Sequence, residues 1–387
     1  MKLATRKDGT RDGQLTVVSR DLKHAVLAEQ IVGTLQRALD DWDFMAPQLQ
    51  ELYEQLNLGR APRSFDFDPL EYMAPLPRPF ERIEALAYPA GMDRLRKAGL
   101  TAAPSQEAVS ESGMPSGAGV ALAGGHNEPQ AESPPLTLAP TSRSMPGNAP
   151  VSVSGLALHL GLDAPDEDTS RTTQAVLGAD GDVDRASNRS PTAATVAPDQ
   201  GTSGLDFGAQ LLVICDDTPM DIDAEEAGQH ILLLGMANGW RTFPPGSAPW
   251  RADRGLAWAP VVSTPDELGE DWREGRIHRP VHCRLNGRST GRLQAAEGMK
   301  WDFRQLLATL SRLGPIHAGC VVCSGPIANA SLDSGFASII DARARHLLEH
   351  QSGPGPAFLQ AGDRLRIDMA DQRGHSLFGT IDQQIVS

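Results

Sequence analysis

The sequence predicts an α+β protein in which mostly antiparallel strands form the larger domain and a smaller α+β domain precedes it. Strand-like runs in the C-terminal half do not alternate with helices as the βα units of a doubly wound sheet would. The chain contains neither a GxGxxG motif nor a phosphate-binding loop motif. Asp-Gly pairs separate short strand-like runs near the N-terminus, and such pairs are typical of hairpin turns.

The N-terminal domain is predicted to span residues 1–80, followed by a connector at residues 81–100. It begins with KLATRKDGTRDGQLTVVS, whose short runs and Asp-Gly turns predict a β-meander. Apolar residues at helical spacing follow, and we expect Pro47 to divide them into two helices, the second of which ends at Gly59. The proline-rich run PLEYMAPLPRPFERIEALAY is expected to be extended.

Residues 101–203 differ sharply in composition from the rest of the chain. They contain no Phe, Trp, Tyr, Ile, Lys or Cys, and Ser, Thr, Pro, Ala and Gly dominate. Such a segment cannot bury enough apolar surface to offset its ordering entropy. The sequence therefore predicts a low-complexity, disordered insertion, with a short helical turn near GLALHLGL.

The C-terminal domain is predicted to span residues 204–387. Its strand-like runs are AQLLVIC, RPVHCRLNG, AGCVVCSG, DRLRIDMAD and SLFGTIDQQIV. Its helical stretches are DAEEAGQHILLLGMANGW and WDFRQLLATLSRLG, the second with Asp302 as its N-cap. In GLDFGAQLLVI, strand alternation places Asp206, Gly208 and Gln210 on one face, which is the position of a site although these residues are poor in reactive groups.

Composition limits the classes of partner. The chain carries 49 acidic and 35 basic residues, for a net charge of −14, which argues against nucleic-acid binding. No apolar run approaches the roughly 20 residues that cross a bilayer, so no membrane partner is expected. The first residues contain no apolar core of a signal peptide, and four cysteines are few for this length. We therefore expect a cytoplasmic protein.

A CxxC pair, Cys320 and Cys323, stands in the strand-like run AGCVVCSG. A redox pair needs a helix N-terminus to lower the thiol pKa, and a zinc site needs a second pair of ligands. The sequence offers neither, so we expect two buried strand cysteines.

The order of these segments resembles the fumarylacetoacetate hydrolase family, in particular bacterial members with a small extra N-terminal domain. The matching stretches on the N-terminal side are MKLATRKDGTRDGQLTVVSRDL, ALDDW and APLPRPFE. On the C-terminal side they are LDFGAQLLVI, STPDELGEDWREGRIHRPV, NGRSTG, WDFRQLLA, CSGPIAN and FGTIDQQIV. The resemblance implies a rolled, mixed β-sheet in the C-terminal domain, a dimer, and a connector at residues 81–100 that resembles the start of a lid.

The resemblance also implies a chemistry. Members hold Mg²⁺, Mn²⁺ or Ca²⁺ on carboxylates and cleave or rearrange dicarbonyl compounds such as acylpyruvates, with a histidine that activates water. The three metal-ligand positions fall here on Gly208, Gln210 and Gly239, and the histidine position falls on Gly91. A family lysine falls near Asp253 or Arg254, and a family threonine falls on Pro326.

These replacements predict that no metal or other cofactor is bound, because a hard divalent ion requires several oxygens, carboxylates among them. Mg²⁺ or Mn²⁺ is the expectation only if other residues replace the missing ligands. The candidate pocket residues are Asp206, Gln210, Asn238 and Arg254. Asp216 and Asp217 are interpreted as a solvated turn, and His230, His278 and His282 show no partner pattern.

Three functions from different classes remain open at this point. The first is a degenerate family member that acts as a binding or partner subunit, as a homodimer or as a heterodimer with a family paralogue. The second is a metal-free, repurposed enzyme that positions a small dicarbonyl-like ligand through Gln210, Asn238 and Arg254. The third is a metal-dependent hydrolase with shifted ligands, Asp206 among them.

Overall fold

The computed structural model describes residues 1–100, 136–139, 144–148, 204–243, 252–350 and 355–386. The strands in these ranges are β1 Lys2–Arg6, β2 Gln14–Val18, β3 His24–Leu27, β4 Phe65–Asp66, β5 Tyr72–Met73, β6 Arg82–Ala85, β7 Leu136–Ala139, β8 Ser144–Pro146, β9 Gly204–Asp206, β10 Ala209–Cys215, β11 Ile231–Phe243, β12 Ala252–Trp258, β13 Val262–Ser263, β14 Trp272–Arg273, β15 Arg276–Ile277, β16 Pro280–Leu285, β17 Arg288–Gln294, β18 Cys320–Cys323, β19 Arg364–Met369 and β20 Ile381–Gln384. The α-helices are α1 Leu35–Leu39, α2 Trp42–Asn57, α3 Pro89–Lys97, α4 Ala224–Gln229, α5 Pro265–Leu268, α6 Phe303–Ser311 and α7 Ile339–His350.

The N-terminal meander and the larger domain share one sheet. The predicted meander is present: β1, β2 and β3 are antiparallel neighbours, and both Asp-Gly pairs lie in the connection between β1 and β2. Strand β1 also pairs with β13, and the sheet continues through β11, β10, β18, β6 and β7. A second sheet contains β17, β16, β19 and β20, all antiparallel. The mixed α+β fold class predicted from the sequence is confirmed.

The two faces of the central strands pack into different cores. In β10, Leu211 and Val213 join a core that includes Phe303 of α6, whereas Leu212 and Ile214 join a core with the N-terminal helices. Because side chains alternate across a strand, the all-apolar run of β10 is buried on both faces. The large central sheet is therefore covered on one face by the N-terminal domain.

The N-terminal helices divide at a different place from the one predicted. Helix α1 ends at Leu39, and α2 continues from Trp42 through Pro47, so the prediction that Pro47 separates two helices is wrong. Proline removes one helical hydrogen bond, but the buried face of α2 further along anchors the helix to the core. The end was predicted correctly, because Gly59 follows the C-cap with a φ of 67°.

One predicted helix is mostly a strand. Helix α4 ends at Gln229, and the apolar run ILLLGMANGW belongs to the 13-residue strand β11. A short, continuous apolar run fits a buried strand as well as a buried helix, and here pairing with neighbouring strands decides between them. Helix α7 was not predicted, whereas α6 and its N-cap Asp302 were.

The run GLDFGAQLLVI forms two strands rather than one. Phe207 and Gly208 lie between the two strands and separate them. Strand β9 pairs with the end of β11, and β10 pairs with the first part of β11. Within the segment predicted to be disordered, β7 pairs with β6 and β8 pairs with β12, neither of which the sequence predicted. The predicted helical turn at GLALHLGL lies outside the described residues. In the ranges described, no helix has the length and apolar character needed to cross a membrane.

Replacing Asp302 by alanine should destabilise the protein. Its buried carboxylate accepts hydrogen bonds from the Arg304 and Gln305 backbone N–H groups at 2.9 and 3.2 Å, and the Gln305 side chain completes a capping box. We expect D302A to lower the free energy of unfolding in urea by about 1–2 kcal/mol. D302N keeps the acceptor oxygen and should lose less than half of that, so equal losses would contradict the capping role.

Candidate functional site

The candidate site lies where β9 and β10 meet beside β11. The Gly239 N–H donates to the Gly208 carbonyl oxygen at 2.9 Å, and the Gly208 N–H donates to Asn238 Oδ1 at 2.8 Å. These bonds hold the interruption at Phe207 and Gly208 against the continuous strand β11. Gly208, Gly239 and Gln210 are thereby placed around one small region of the sheet.

The guanidinium of Arg241 occupies the space in front of the two glycines. A Cβ atom built on Gly208 would overlap Arg241 Nη1 and lie 3.1 Å from Pro326 Cγ. A Cβ built on Gly239 would lie 2.9 Å from Gln210 Nε2 and 3.4 Å from Arg241 Nη2. Neither position can carry a side chain unless Arg241 or Gln210 moves.

Glu84 of β6 faces this guanidinium. Its Oε2 lies 3.5 Å from Arg241 Nη2, and its Oε1 accepts a hydrogen bond from Gln210 Nε2 at 3.2 Å. The Arg241 and Glu84 side chains are 10% and 14% exposed, and Gln210 is fully buried. Arg241 and Glu84 were not predicted as site residues from the sequence. Arg241 stands two residues after Gly239, hence on the same strand face, and that spacing was the signal available.

Asp206 is directed to a helix terminus. It is the cross-strand partner of Arg241, yet its carboxylate accepts hydrogen bonds from the backbone N–H groups of Ile339 at 2.6 Å, Ile340 at 3.0 Å and Phe207 at 2.8 Å. The first two donors belong to the first turn of α7, whose end attracts negative charge. Burial raises the pKa of Asp206 to about 7, although these donors and Arg241 favour the ionised form.

The other pocket candidates have different roles. Asn238 is fully buried and uses Oδ1 to fix the Gly208 N–H. Arg254 lies on β12, which pairs with β11, and it is described for its backbone alone. Gly91 lies on α3, where its added Cβ would sit 3.0 Å from Ala328 Cβ. The connector that resembles a lid start thus contains a helix.

Helix α3 is tied to α7 by a buried ion pair. Arg94 Nε and Nη2 donate to Asp341 Oδ1 and Oδ2 at 2.6 and 3.0 Å, and Arg94 Nη1 donates to the Asn329 carbonyl oxygen at 2.8 Å. Asp341 also pairs with Arg345 at 3.3 Å. The two helices that border the site, one bearing Gly91 and one capped by Asp206, are therefore held together.

Several residues that the sequence analysis weighed lie apart from this site. In the turn after β10, Asp217 is exposed as expected, whereas Asp216 is half-buried; His230 is the C-cap residue of α4. Cys320 and Cys323 form no disulfide and are buried on β18, and they pack into different cores on opposite faces, which confirms two ordinary strand cysteines.

A surface cleft between β1 and residues 371–377 is separate from the site. Lys2 lines it, and its Nζ donates to the carbonyl oxygens of Ser376 and Leu377 at 3.0 Å each. Burial lowers the pKa of Lys2 to about 8. Because two backbone carbonyls hold this ammonium group, we assign it a structural role.

Two family models match the chain. Fumarylacetoacetase N-terminal domain 2 matches residues 1–78, and the fumarylacetoacetate (FAA) hydrolase C-terminal model matches residues 170–386, which is more than half of the chain. The chain belongs to the fumarylacetoacetate hydrolase family. The resemblance inferred from the sequence segments is confirmed.

Solved structures of this family share the fold. The fumarylacetoacetate hydrolase of psychrophilic Exiguobacterium antarcticum is 14% identical with a TM-score of 0.55, covering 100% of this chain and 99% of that chain. The maleylpyruvate hydrolase of Sphingobium sp. SYK-6, in complex with manganese(II) and pyruvate, is 13% identical with a TM-score of 0.54 and the same coverage. At such identities the likeness shows the fold alone. None of the curated proteins matches this chain.

The residues of this family member do not fit a divalent metal at the positions that the family resemblance implies. Gly208 and Gly239 supply no side-chain oxygen, and Gln210 supplies one neutral oxygen. The Glu84 carboxylate, which accepts a hydrogen bond from Gln210, is paired with Arg241. Across the described ranges, no group of three or more His, Cys, Asp or Glu residues has the geometry to hold a metal. Hard divalent ions require several oxygen ligands, so the donor set is too poor.

The buried Asp206 should give the protein a distinct pH dependence. Its folded-state pKa is raised to about 7, above the unfolded value of about 3.9. Burial of the neutral carboxyl contributes fully to the free energy of unfolding below about pH 4. This contribution is lost as the pH rises to about 7, because the unfolded state then ionises and the folded state does so only at higher pH. Over that window, the free energy of unfolding of wild type should fall relative to that of D206N by about 1.4 kcal/mol for each pH unit.

Urea denaturation of both proteins at several pH values measures this difference. The Asn variant is the matched control, because it keeps one acceptor oxygen for the α7 N-terminus and does not titrate. A difference in stability that stays constant from pH 4 to pH 8 would contradict the raised pKa.

Proposed function

We propose that this protein is a degenerate member of the fumarylacetoacetate hydrolase family. It lacks metal-dependent hydrolysis of dicarbonyl compounds of the acylpyruvate type and acts as a binding or partner subunit. One observation carries the proposal: the Arg241 guanidinium fills the space before Gly208 and Gly239, where carboxylate side chains would have to stand.

The electrostatics support this proposal. A metal ion in such a centre polarises the dicarbonyl oxygens as a Lewis acid. A second cation beside Arg241 would meet like-charge repulsion in a region of low solvent exposure, where such repulsion is strong. Glu84 cannot serve both cations fully, and Gln210 carries no charge. No histidine occupies the family's base position, because Gly91 stands there.

The second candidate is an active or repurposed hydrolase or isomerase that cleaves C–C bonds of dicarbonyl compounds with non-standard residues. The polar lining of the site favours it. Gln210 Oε1 is buried and has no hydrogen-bond partner within the described residues, and Arg241 can donate to a ligand oxygen. A small dicarbonyl-like ligand would satisfy such groups, and positioning alone can accelerate a reaction.

The partner we propose is a second copy of the chain or a family paralogue, because symmetric homo-oligomers are common and their interfaces are easily reused. The exposed apolar side chains that we propose for this interface are Phe44, which is 64% exposed, and Phe80, which is 56% exposed. The net charge of −14 disfavours nucleic acid as a partner. Four buried cysteines that form no disulfide suit a reducing compartment, and we propose the cytoplasm.

Purified protein should not turn over an acylpyruvate in the presence of Mn²⁺ or Mg²⁺. We expect a rate at least about a thousandfold below that of a metal-dependent hydrolase of the same fold assayed in parallel, since a typical enzyme turns over at about 10 per second. Loss of substrate absorbance measures it. Turnover at a normal rate that EDTA abolishes would overturn the proposal, and EDTA-resistant turnover would favour the repurposed enzyme.

The chain alone should sediment as a dimer if it pairs with itself, and as a monomer if it needs a paralogue. Sedimentation velocity separates the two arrangements. F44S and F80S should shift a homodimer towards monomer, with S331A as a neutral surface control, because Ser331 is exposed. A stable monomer that does not associate with any co-expressed family paralogue would contradict the partner role.

A further inference from the structure

Arg241 is a buried cation with an unusual set of partners. Its side chain is 10% exposed and lies on the same strand face as its cross-strand neighbour Asp206. Glu84 Oε2 lies 3.5 Å from Nη2, an ion pair too long for a hydrogen bond. Among the residues that the structure describes, this is the only ion pair of the guanidinium, because the Asp206 carboxylate is held instead by backbone N–H groups of Ile339 and Ile340.

The same guanidinium accounts for both glycines. A Cβ at Gly208 would overlap its Nη1, and a Cβ at Gly239 would press on its Nη2 and on the Gln210 amide. Neither glycine has a positive φ, so backbone conformation does not require glycine at these positions. The requirement for glycine comes from the space that the guanidinium takes up.

We propose that the Arg241 guanidinium is the resident cation of this centre: paired with Glu84, it stands in front of Gly208 and Gly239 in place of a divalent metal ion and makes the centre independent of metal. The cation is covalently tethered, so it is present at every concentration of free metal. Its positive charge stabilises the Glu84 carboxylate, which would otherwise be a poorly solvated charge. Gln210 supports the arrangement by donating to the other Glu84 oxygen.

This inference rests on the proposed function for the absence of a metal, but the two can fail separately. Metal-free turnover that depends on Arg241 would overturn the proposed non-catalytic role but would be consistent with Arg241 as the resident cation. Metal binding by the wild type would overturn the proposal that Arg241 is the resident cation, whether or not the protein is active. Calorimetry with Mn²⁺ and an assay with EDTA therefore distinguish the two failures.

The first test compares two replacements of Arg241 in the full chain by thermal denaturation. R241K keeps a cation, whereas R241M keeps a long, flexible chain without charge. We expect R241M to lower the melting temperature by at least about 5 °C, because it leaves a buried carboxylate unpaired. R241K should lower the melting temperature by no more than about half as much as R241M, because it keeps a positive charge beside Glu84. Equal melting temperatures, or a more stable R241M, would show that the side chain acts by packing alone and would overturn the proposal.

The second test removes the Arg241 guanidinium and asks whether Mn²⁺ from solution can take its place. G208E alone should fold poorly, because its Cβ collides with Arg241. The double variant G208E/R241A removes the collision and supplies a new carboxylate beside Glu84 and Gln210. With 1 mM MnCl₂, its melting temperature should rise by at least about 3 °C, whereas wild type should shift by less than about 1 °C.

R94A is the matched control for the metal response. Arg94 is also a buried arginine paired with a carboxylate, but it lies on α3, and Arg345 still neutralises Asp341 after the change. Its melting temperature should fall and should not respond to MnCl₂. One-to-one Mn²⁺ binding by wild type would overturn the proposal. A double variant whose melting temperature does not respond to Mn²⁺ would also overturn it, because the space that the Arg241 guanidinium occupies would then not be a place where a metal ion can bind.

Discussion

The long strand β11 is the element on which both the fold and the site depend. It pairs with β10 along its first part, with β9 at its end, and with β12 and β13 on its other edge. Because β13 also pairs with β1, this strand joins the N-terminal meander to the larger domain. In its second half, Gly239 lies opposite Gly208 at the interruption, and Arg241 lies opposite Asp206 of β9.

Buried charge is managed by local pairing throughout this region. Asp206 is surrounded by backbone donors at the α7 N-terminus, Glu84 by Gln210 and Arg241, and Asp341 by Arg94 and Arg345. A buried ion pair contributes little net stability when it replaces apolar packing, but removing one partner is costly. Such pairs therefore fix the arrangement of β6, β11, α3 and α7 more than they add to the free energy of folding.

The parts of the fold that follow from local patterns were predicted well. The meander came from Asp-Gly turns, the end of α2 from Gly59, and the start of α6 from Asp302, since each of these signals acts within a few residues. The assignments that depended on distant partners failed. Strand β11 was taken for a helix, because an apolar run has no period of its own until neighbouring strands bury both of its faces.

The sequence by itself determined the family, the absence of carboxylates at positions 208, 210 and 239, and the burial of the two strand cysteines, because these depend on residue identity and order alone. Only the tertiary structure decided which side chain stands in front of Gly208 and Gly239. Arg241 and Glu84 are 157 residues apart in the chain and meet because β6 and β11 belong to one sheet. Long-range pairing of this kind is set by strand order, and a single sequence does not encode it in any local pattern.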